Sequence, residues 1–206
     1  MTIAQKHHES KTSLLNATLQ VVRAKGYSAT TIDDVCQKAE LTKGSFFHHF
    51  KSKEALAVAA ANHWSATTSG FFADAPYQSL ADPLDRVLGY VDFRKAILQG
   101  ELAQFTCFVG TMVQEVYASN PAIRDACNDS ISGHAANIEV DIAEAMEKYA
   151  IKADWTAESL ALYTQATIQG AFILAKAKNG PEIAADCIDH LRRYIELLFN
   201  RHKQEE

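Results

Sequence analysis

The chain has 206 residues, of which 48% are hydrophobic and 22% are charged, and its formal net charge is −5. This length suits one large domain or two small ones, and with only 9 Gly and 4 Pro it excludes collagen-like, linker-like and disordered chains. The charge is divided unevenly: residues 1–60 carry eight Lys and Arg against five Asp and Glu, a net +3, which leaves −8 for residues 61–206. Such asymmetry indicates that the two segments differ in function.

The cysteine spacing and the hydropathy pattern exclude several other classes. None of the four cysteines lies at a metal-ligand spacing from another, so we expect no metal site and no cofactor. The N-terminus lacks the apolar stretch of a signal peptide, and no segment approaches the roughly 18 apolar residues of a membrane span. We therefore expect a cytoplasmic protein with reduced thiols and no membrane partner.

Helix signals predominate along the N-terminal segment. The apolar periodicity predicts a first helix over residues 10–25, which Gly26 ends in the C-cap role. Thr31 and Asp34 have the spacing of a capping box and predict a second helix. A three-residue break follows, then a short third helix over residues 43–50 and a fourth that begins after Ser52 and continues through Trp64.

The remaining helices are predicted from their caps and from the spacing of apolar residues. They cover residues 82–98, 103–118, 120–149 and 156–179, and a last helix begins at Pro181. The total is about nine helices without a confident strand. The sequence therefore predicts an all-α fold.

Residues 30–54 are the most informative part of the chain. Two short predicted helices joined by a three-residue turn form a helix-turn-helix, whose second helix would enter the major groove of DNA. Helical spacing lets two of its phenylalanines, at positions 46, 47 and 50, anchor the helix while one faces outward. Lys51 and Lys53 flank the helix and can neutralise phosphates.

Residues 26–35 (GYSATTIDDV) and 42–56 (TKGSFFHHFKSKEAL) resemble the N-terminal domain of the TetR family of bacterial transcriptional regulators. The resemblance covers residues 10–60. It implies a three-helix DNA-binding head over residues 1–52 and a helical ligand-binding and dimerisation body over residues 53–206. It also implies a repressor that binds a palindromic operator in double-stranded DNA as a homodimer and is released by a small-molecule effector.

The resemblance further implies which residues touch DNA. Base readout is expected from Lys43 and Ser45, because a lysine ammonium can reach the acceptors of guanine. The family usually has tyrosine where this chain has Phe47, so a hydroxyl that would contact phosphate is missing. The expected DNA-binding residues are Thr30, Thr31, Thr42, Lys43, Gly44, Ser45, Phe47, His48, His49 and Lys53. The alternative is a basic, solvated helical hairpin.

The resemblance also implies dimerisation through the last two long helices. The first carries small residues that allow close helix approach, and the second carries an apolar stripe, so the pair fits a two-fold four-helix interface. The expected interface residues are Ala166, Gly170, Ala171, Leu174, Ala175, Ile188, Leu191 and Ile195. The alternative is that both stripes pack into the core of their own chain.

Polar and aromatic residues on otherwise apolar helices predict a mixed pocket for the effector. The candidates are His63, Trp64, Phe93, Cys107, Phe108, Met112, His134, Asn137, Tyr163, Gln165 and Gln169. Each of these residues taken alone is also compatible with an ordinary place in the core. No cluster of cationic residues marks the effector as an anion.

Cys107 supports a second hypothesis, in which the repressor senses electrophiles or oxidants through a thiol. Some members of the family with a similar Cys-x-x-Gly stretch respond in this way. Such chemistry requires a nearby cation or a helix N-terminus, and access to the thiol. No basic residue lies within ten positions of Cys107 along the chain, and a buried, inert thiol is the alternative.

Two further functional classes compete with a DNA-binding regulator. An all-helical enzyme lacks support, because the chain has no nucleophile elbow, dinucleotide-binding glycine pattern, P-loop or H-E-x-x-H motif. A protein-binding adaptor would use the apolar stripes and leave the basic head without a role. We therefore expect no enzymatic activity.

Overall fold

The computed structural model describes residues 3–201, with side chains from His7 onward. Within this range the chain is all α-helical and has no strand, which confirms the predicted fold class. The helices are α1 (Ile3–Lys25), α2 (Ile32–Lys38), α3 (Lys43–His49), α4 (Lys53–Ala73), α5 (Pro83–Ala96), α6 (Leu102–Phe105), α7 (Phe108–Val116), α8 (Pro121–Lys148), α9 (Ala157–Lys178) and α10 (Glu182–Leu198). A short 3-10 helix (Pro76–Ser79) precedes α5.

The residues group into two compact units. Unit 1 contains residues up to 68 together with residues 106–130, and unit 2 contains residues 69–105 and those from 131 onward. Unit 1 therefore holds α1 to α3, most of α4, α7 and the start of α8. Unit 2 holds α5, α6, most of α8, α9 and α10.

The turns of unit 1 follow from local sequence. Gly26 has φ +86°, a left-handed conformation that glycine adopts without strain, and its N–H donates to the carbonyl of Val22 at 2.8 Å. The Thr31 hydroxyl accepts from the Asp34 N–H, and the Asp34 carboxylate accepts from the Thr31 N–H, so the predicted capping box is confirmed. These caps end α1 and begin α2 where the sequence predicts.

Apolar burial holds the helices of unit 1 together. Leu14 and Val22 of α1, Val35 of α2, Phe46 of α3 and Leu56 of α4 are each at most 1% exposed. Full burial of a side chain of this size contributes on the order of 1.5–3 kcal/mol. The helix-turn-helix therefore has its own packed core.

Helix α5 packs within unit 2 against α10 and the 3-10 helix. Asp82 caps α5 by accepting from the Leu84 N–H at 2.8 Å, and its other oxygen accepts from Lys148 Nζ at 2.6 Å and Tyr149 Oη at 2.7 Å. Burial opposes ionisation of Asp82, but these hydrogen bonds outweigh it and lower its pKa to about 2. Helix α10 packs along both α9 and α5.

Three predicted helices differ clearly from the observed ones. Helix α1 begins at Ile3, seven residues before the predicted start at residue 10. The helix predicted over residues 103–118 is interrupted at Thr106 and Cys107, where Cys107 caps α7, so the described chain has ten α-helices rather than nine. Helix α4 continues past Trp64 and through Gly70 to Ala73, and the first proline after Trp64 is Pro76, beyond the end of the helix. Among the described residues, no helix is long and apolar enough to span a membrane.

Candidate DNA interface and ligand cavity

The outer face of α3 is polar, with one exposed aromatic ring. Phe46 and Phe50 are buried, whereas Phe47 is 56% exposed, which confirms that two aromatics anchor the helix and one faces outward. Thr42 caps α3 by accepting from the Ser45 N–H at 3.2 Å. The exposed residues of α3 and its N-cap are Thr42, Lys43, Gly44, Phe47 and His48.

Lys43 is held by a neighbouring acid in the free protein. Its Nζ lies 2.8 Å from Asp33 Oδ1 of α2, and both side chains are largely exposed. The hydrogen bond and the negative charge of Asp33 raise the pKa of Lys43. Exposed ion pairs are weak, so Lys43 can exchange Asp33 for a DNA acceptor at little cost.

Four other predicted DNA-contacting residues are already engaged within the head. Thr30 is buried and its hydroxyl donates to the Gly26 carbonyl at 2.6 Å, which corrects its expected role at phosphate. The Thr31 side chain is used in the capping box. His49 is half-buried with Nε2 2.7 Å from Ser10 Oγ, and Lys53 lies 4.2 Å from the centre of the Tyr27 ring. The DNA-binding roles of Thr31, His49 and Lys53 remain predictions.

Three histidines of the head, His7, His48 and His49, lie close together. The His7 ring centroid is 4.9 Å from that of His48 and 4.3 Å from that of His49. Burial lowers the pKa of His49, and the positive charges of His7, His48 and Lys11 lower it further. Within the described part of the chain, no group of three or more His, Cys, Asp or Glu side chains is arranged to hold a metal ion.

Glu115 contacts the head, although the sequence alone does not indicate this role. Its carboxylate accepts hydrogen bonds from the N–H groups of Tyr27 and Ser28, in the loop between α1 and α2. The two positions are 87 residues or more apart, so no local pattern indicates the contact. This contact links α7 to the helix-turn-helix within unit 1.

The surroundings of Cys107 differ from the sequence expectation. Cys107 is half-buried at the N-cap of α7, where its Sγ accepts from the Gly110 N–H at 3.4 Å. Arg23 of α1 lies close enough to interact electrostatically with the Cys107 side chain, and its guanidinium is 5.2 Å from the centre of the Trp64 ring. Folding therefore brings a basic residue close to Cys107, although none lies within ten positions of it along the chain.

Unit 2 contains a cavity of about 520 Å³. Its lining residues are Ser69, Phe72, Ala73, Tyr77, Gln78, Tyr90, His134, Asn137, Ile138, Val140 and Asp141. Gln165 Nε2 donates to Tyr90 Oη at 3.0 Å, and Tyr90 Oη lies 3.0 Å from His134 Nε2. Burial lowers the pKa of His134 to about 3, with a contribution from Arg94, so this imidazole is neutral at physiological pH.

The predicted effector residues separate into distinct groups. In unit 1, His63 lies 2.8 Å from Asn16 Oδ1, Trp64 packs on Phe108, and Phe108 and Met112 are fully buried. In unit 2, His134 and Asn137 line the cavity, while Phe93 and Gln165 contact residues that line it. Gln169 is half-buried, and nothing in the structure assigns it a partner at the cavity.

The structure contradicts the predicted cavity role of Tyr163 and the predicted interface roles of five other residues. Tyr163 is 48% exposed and its ring packs on Tyr194 of α10 with centroids 5.2 Å apart, so it lies on an outer face and not at the cavity. The predicted interface residues that are buried in the core of unit 2 are Ala171, Ala175, Ile188, Leu191 and Ile195. These five have almost no area left to bury against a second chain. Ala166 and Leu174 are exposed, and Gly170 is half-buried.

Comparison with known proteins assigns the family. Residues 14–60 match the bacterial regulatory proteins of the tetR family, and residues 83–191 match the tetracyclin repressor-like C-terminal domain, which covers more than half of the chain. The chain belongs to the TetR family. It is a DNA-binding transcriptional regulator and not an enzyme.

Two relatives of this TetR-family chain are named as transcriptional repressors. It is 24% identical to the HTH-type transcriptional repressor DhaR of Mycobacterium sp. (strain GP1), over 79% of this chain and 80% of DhaR. It is 23% identical to the repressor NemR of Escherichia coli (strain K12) over 91% and 94% of the two chains. The structure of reduced NemR superposes with a TM-score of 0.78 over 90% of this chain and 96% of NemR, at 22% identity.

A third relative has been solved on DNA. The regulator CifR, as a cysteine mutant complexed with a 26bp double-strand operator, superposes with a TM-score of 0.74 at 18% identity. The match covers 89% of this chain and 95% of CifR. At this identity the likeness establishes the shared fold.

Proposed function

We propose that the protein is a cytoplasmic repressor that binds a palindromic operator as a homodimer and leaves it when a small molecule binds. The observation that carries this proposal is the exposed face at the start of α3. A helix N-terminus with small, polar and basic side chains suits entry into the major groove. In a two-fold dimer, two such helices would reach half-sites one helical turn apart, about 34–36 Å.

Within the head, we assign base readout to Lys43 and Ser45 and apolar contact with a thymine methyl to Phe47. Thr31, Thr42, His49 and Lys53 would position the head on phosphates, with Gly44 and His48 close to the backbone. This assigns DNA binding to residues 1–52, and effector binding and dimerisation to residues 53–206. The exposure of the start of α3 and its adjacent lysines support the assignment.

Dimerisation through α9 and α10 is supported by exposed apolar residues on both helices. Leu162, Ala166 and Ile173 repeat on one face of α9, and Tyr194 and Leu197 are exposed on α10. Leu174 and Gly170 lie beside the α9 stripe. A two-fold interface contains every substitution twice, so acidic residues there would place several charges in an apolar contact. The variant pair L162E and I173E should therefore sediment as a monomer, whereas Y117E, at an exposed tyrosine of unit 1, should remain a dimer.

The test of the proposed function is selection of the operator. Purified protein is incubated with sheared genomic DNA at about 100 mM salt and the retained fragments are sequenced. The expected result is a few fragments that share an inverted repeat. The variant K43A should lose this selectivity while K178A, in α9, keeps it. Retention without any shared sequence would contradict the proposal.

Release of DNA by an electrophile is a second candidate function. It is favoured by the half-buried position of Cys107 at the N-cap of α7, where its Sγ accepts from the Gly110 N–H, and by the nearby guanidinium of Arg23. The thiolate would form a carbon–sulfur bond with an activated alkene, and the adjacent carbon would take a proton from water. Treatment with N-ethylmaleimide should release DNA from the wild type and from C187S but not from C107S. Equal release from C107S would exclude this mechanism.

A further inference from the structure

Three imidazole rings meet where α1 packs against the C-terminal end of α3. The ring centroids of His7 and His48 are 4.9 Å apart, those of His7 and His49 are 4.3 Å apart, and those of His48 and His49 are 5.1 Å apart. His7 and His48 are exposed, whereas His49 is half-buried. In the described part of the chain, these rings are not arranged to hold a metal ion. Two of the three imidazoles can therefore be reached by a ligand of another kind.

The third imidazole, that of His49, is fixed by Ser10. The Ser10 hydroxyl donates its one hydrogen to the His7 carbonyl at 3.1 Å, so its oxygen accepts from His49 Nε2–H at 2.7 Å. The unprotonated nitrogen of His49 is then Nδ1, which is buried and has no hydrogen-bond partner. A proton added there would be a buried donor without an acceptor, so His49 stays neutral. The two exposed rings are the ones that can take up protons.

Acidic residues do not neutralise this cluster. Among the residues whose side chains are described, no carboxylate forms an ion pair with any of the three histidines. Helix α1 contains one carboxylate, Glu9, which is exposed, and α3 contains none. The acids of α2, which also packs against α3, are paired elsewhere: Asp33 with Lys43 and Asp34 with Lys25.

The charges within the cluster all have the same sign. Those that act on His49 belong to His7, His48 and Lys11. Lys11 Nζ lies 6.0 Å from the centre of the Phe50 ring, next to the end of α3. Imidazoles ordinarily titrate near pH 6.5, and neighbouring rings repel each other when both are charged. In the free protein this repulsion opposes protonation of the cluster, and an anion bound beside it would favour protonation.

Helix geometry brings the cluster close to the DNA backbone. Helix α3 has seven residues and is about 10 Å long, whereas the major groove is about 12 Å wide. A helix of this length that enters the groove at its start keeps its other end close to the phosphates along the groove edge. His48 lies at that end, and α1 brings His7 and Lys11 to it.

We propose that the exposed imidazoles of His7 and His48, together with Lys11, form a phosphate site that takes up protons from solvent when the head binds DNA. Each imidazolium N–H can donate to a phosphate oxygen, and charged donors make the stronger hydrogen bonds. His49 can give its Nε2–H to the same phosphate by leaving Ser10, without a change in its protonation. The inference rests on the proposed entry of α3 into the major groove, and it adds two residues of α1 to the DNA interface.

The consequence is a DNA affinity that depends on pH. The complex holds more protons than the free protein and free DNA together, so its Kd rises as the pH rises. Uptake of about one proton per dimer corresponds to a Kd that rises about tenfold per pH unit. We expect this dependence between pH 6.5 and 7.5, where imidazoles change their charge.

The experiment measures DNA binding by the full-length protein at several pH values. Fluorescence anisotropy gives the Kd of the selected operator, and of a random duplex of the same length, at about 50 mM salt and pH 6.5, 7.0 and 7.5. The double variant of His7→Gln and His48→Gln should lose at least half of the pH dependence. His190→Gln, at an exposed histidine of α10, should keep all of it. Calorimetry in two buffers with different heats of ionisation counts the protons directly.

A purely structural role of the two histidines would give a different result. Loss of packing would weaken binding equally at every pH and leave the pH dependence unchanged. Two results would overturn the inference: a wild-type Kd that does not change with pH, or a double variant that keeps the wild-type dependence. If the double variant fails to fold, the single variants H7Q and H48Q provide the test, and each should lose part of the dependence.

The random duplex separates this inference from the function on which it rests, because a phosphate contact does not require a particular sequence. If the wild type selects no operator but takes up protons through His7 and His48 on the random duplex, the phosphate site stands and the proposed regulatory function fails. If the wild type selects an operator but binds it with a Kd that is independent of pH, the inference about the histidines fails alone.

Discussion

The carboxylate of Glu115, in α7, accepts a hydrogen bond of 2.7 Å from the backbone N–H of Ser28. The N–H of Tyr27 donates to the same carboxylate at 2.9 Å. Burial opposes ionisation of Glu115, but these hydrogen bonds and the charge of Lys53 outweigh it and lower its pKa. The helix that Cys107 caps is thereby joined to the loop that begins the helix-turn-helix.

Replacing Glu115 by Gln should loosen this loop. The amide retains one oxygen but loses the charge, so we expect a loss of about 1 kcal/mol in the free energy of unfolding, a value kept low because the side chain is exposed. Urea unfolding measures this loss, and operator affinity should fall with it. The exposed Glu147→Gln in α8 serves as the matched control. Unchanged stability and affinity in E115Q would show that the contact does not hold the head.

Phe47→Tyr should strengthen operator binding. Phe47 is exposed on α3, and the added hydroxyl supplies the phosphate contact that the TetR family usually makes at this position. One hydrogen bond contributes about 0.5–1.5 kcal/mol, which corresponds to a two- to tenfold lower Kd. Fluorescence anisotropy with the selected operator measures the change. Phe71→Tyr, at an exposed phenylalanine of unit 2, should have no effect, and an unchanged Kd for F47Y would argue against phosphate contact there.

Asp33→Asn should raise the affinity for DNA, and this gain should become smaller as the salt concentration rises. Asp33 occupies the Lys43 ammonium in the free protein and would repel nearby phosphates. Without it, we expect Kd to fall severalfold at low salt, with a smaller gain as salt screens the charges. Titration at three salt concentrations provides the test, with Asp154→Asn of unit 2 as control. A gain that is independent of salt would contradict the electrostatic explanation.

His134 should make the protein less stable in mild acid. Its folded pKa of about 3 lies below the ordinary value of 6.5, so the unfolded chain binds more protons between these values. Stability is therefore highest above pH 6.5 and falls toward acid by up to about 1.4 kcal/mol per pH unit. We expect His134→Gln, which keeps an acceptor for Tyr90, to have a shallower decline in urea unfolding between pH 7.5 and 5. Parallel declines would mean that this imidazole is protonated in the fold.

Local sequence patterns were sufficient to predict most of the helices and the position of the DNA-binding head. Gly26 and the Thr31–Asp34 box act over a few residues, so these two caps were predictable and are confirmed. The helices predicted to begin near residues 82 and 156 are present too, with Asp82 and Thr156 as their N-caps. The alternation of buried Phe46 and Phe50 with exposed Phe47 follows from helical geometry in the same way. The interruption of the predicted helix at residues 106 and 107 was missed, because no glycine or proline marks it.

Tertiary structure decided what the candidate sites contain. Arg94 has the sequence context of an ordinary charge on an amphipathic helix, and only folding brings the rings of Phe72 and Phe172, from other helices, next to its guanidinium. Arg23 comes near Cys107, and Glu115 reaches Ser28, across separations of more than 80 residues. Leu191 and Ile195 share the apolar stripe expected of an interface, yet they are buried in their own chain. Periodicity identifies an apolar face, but the packing of the helices determines what covers it.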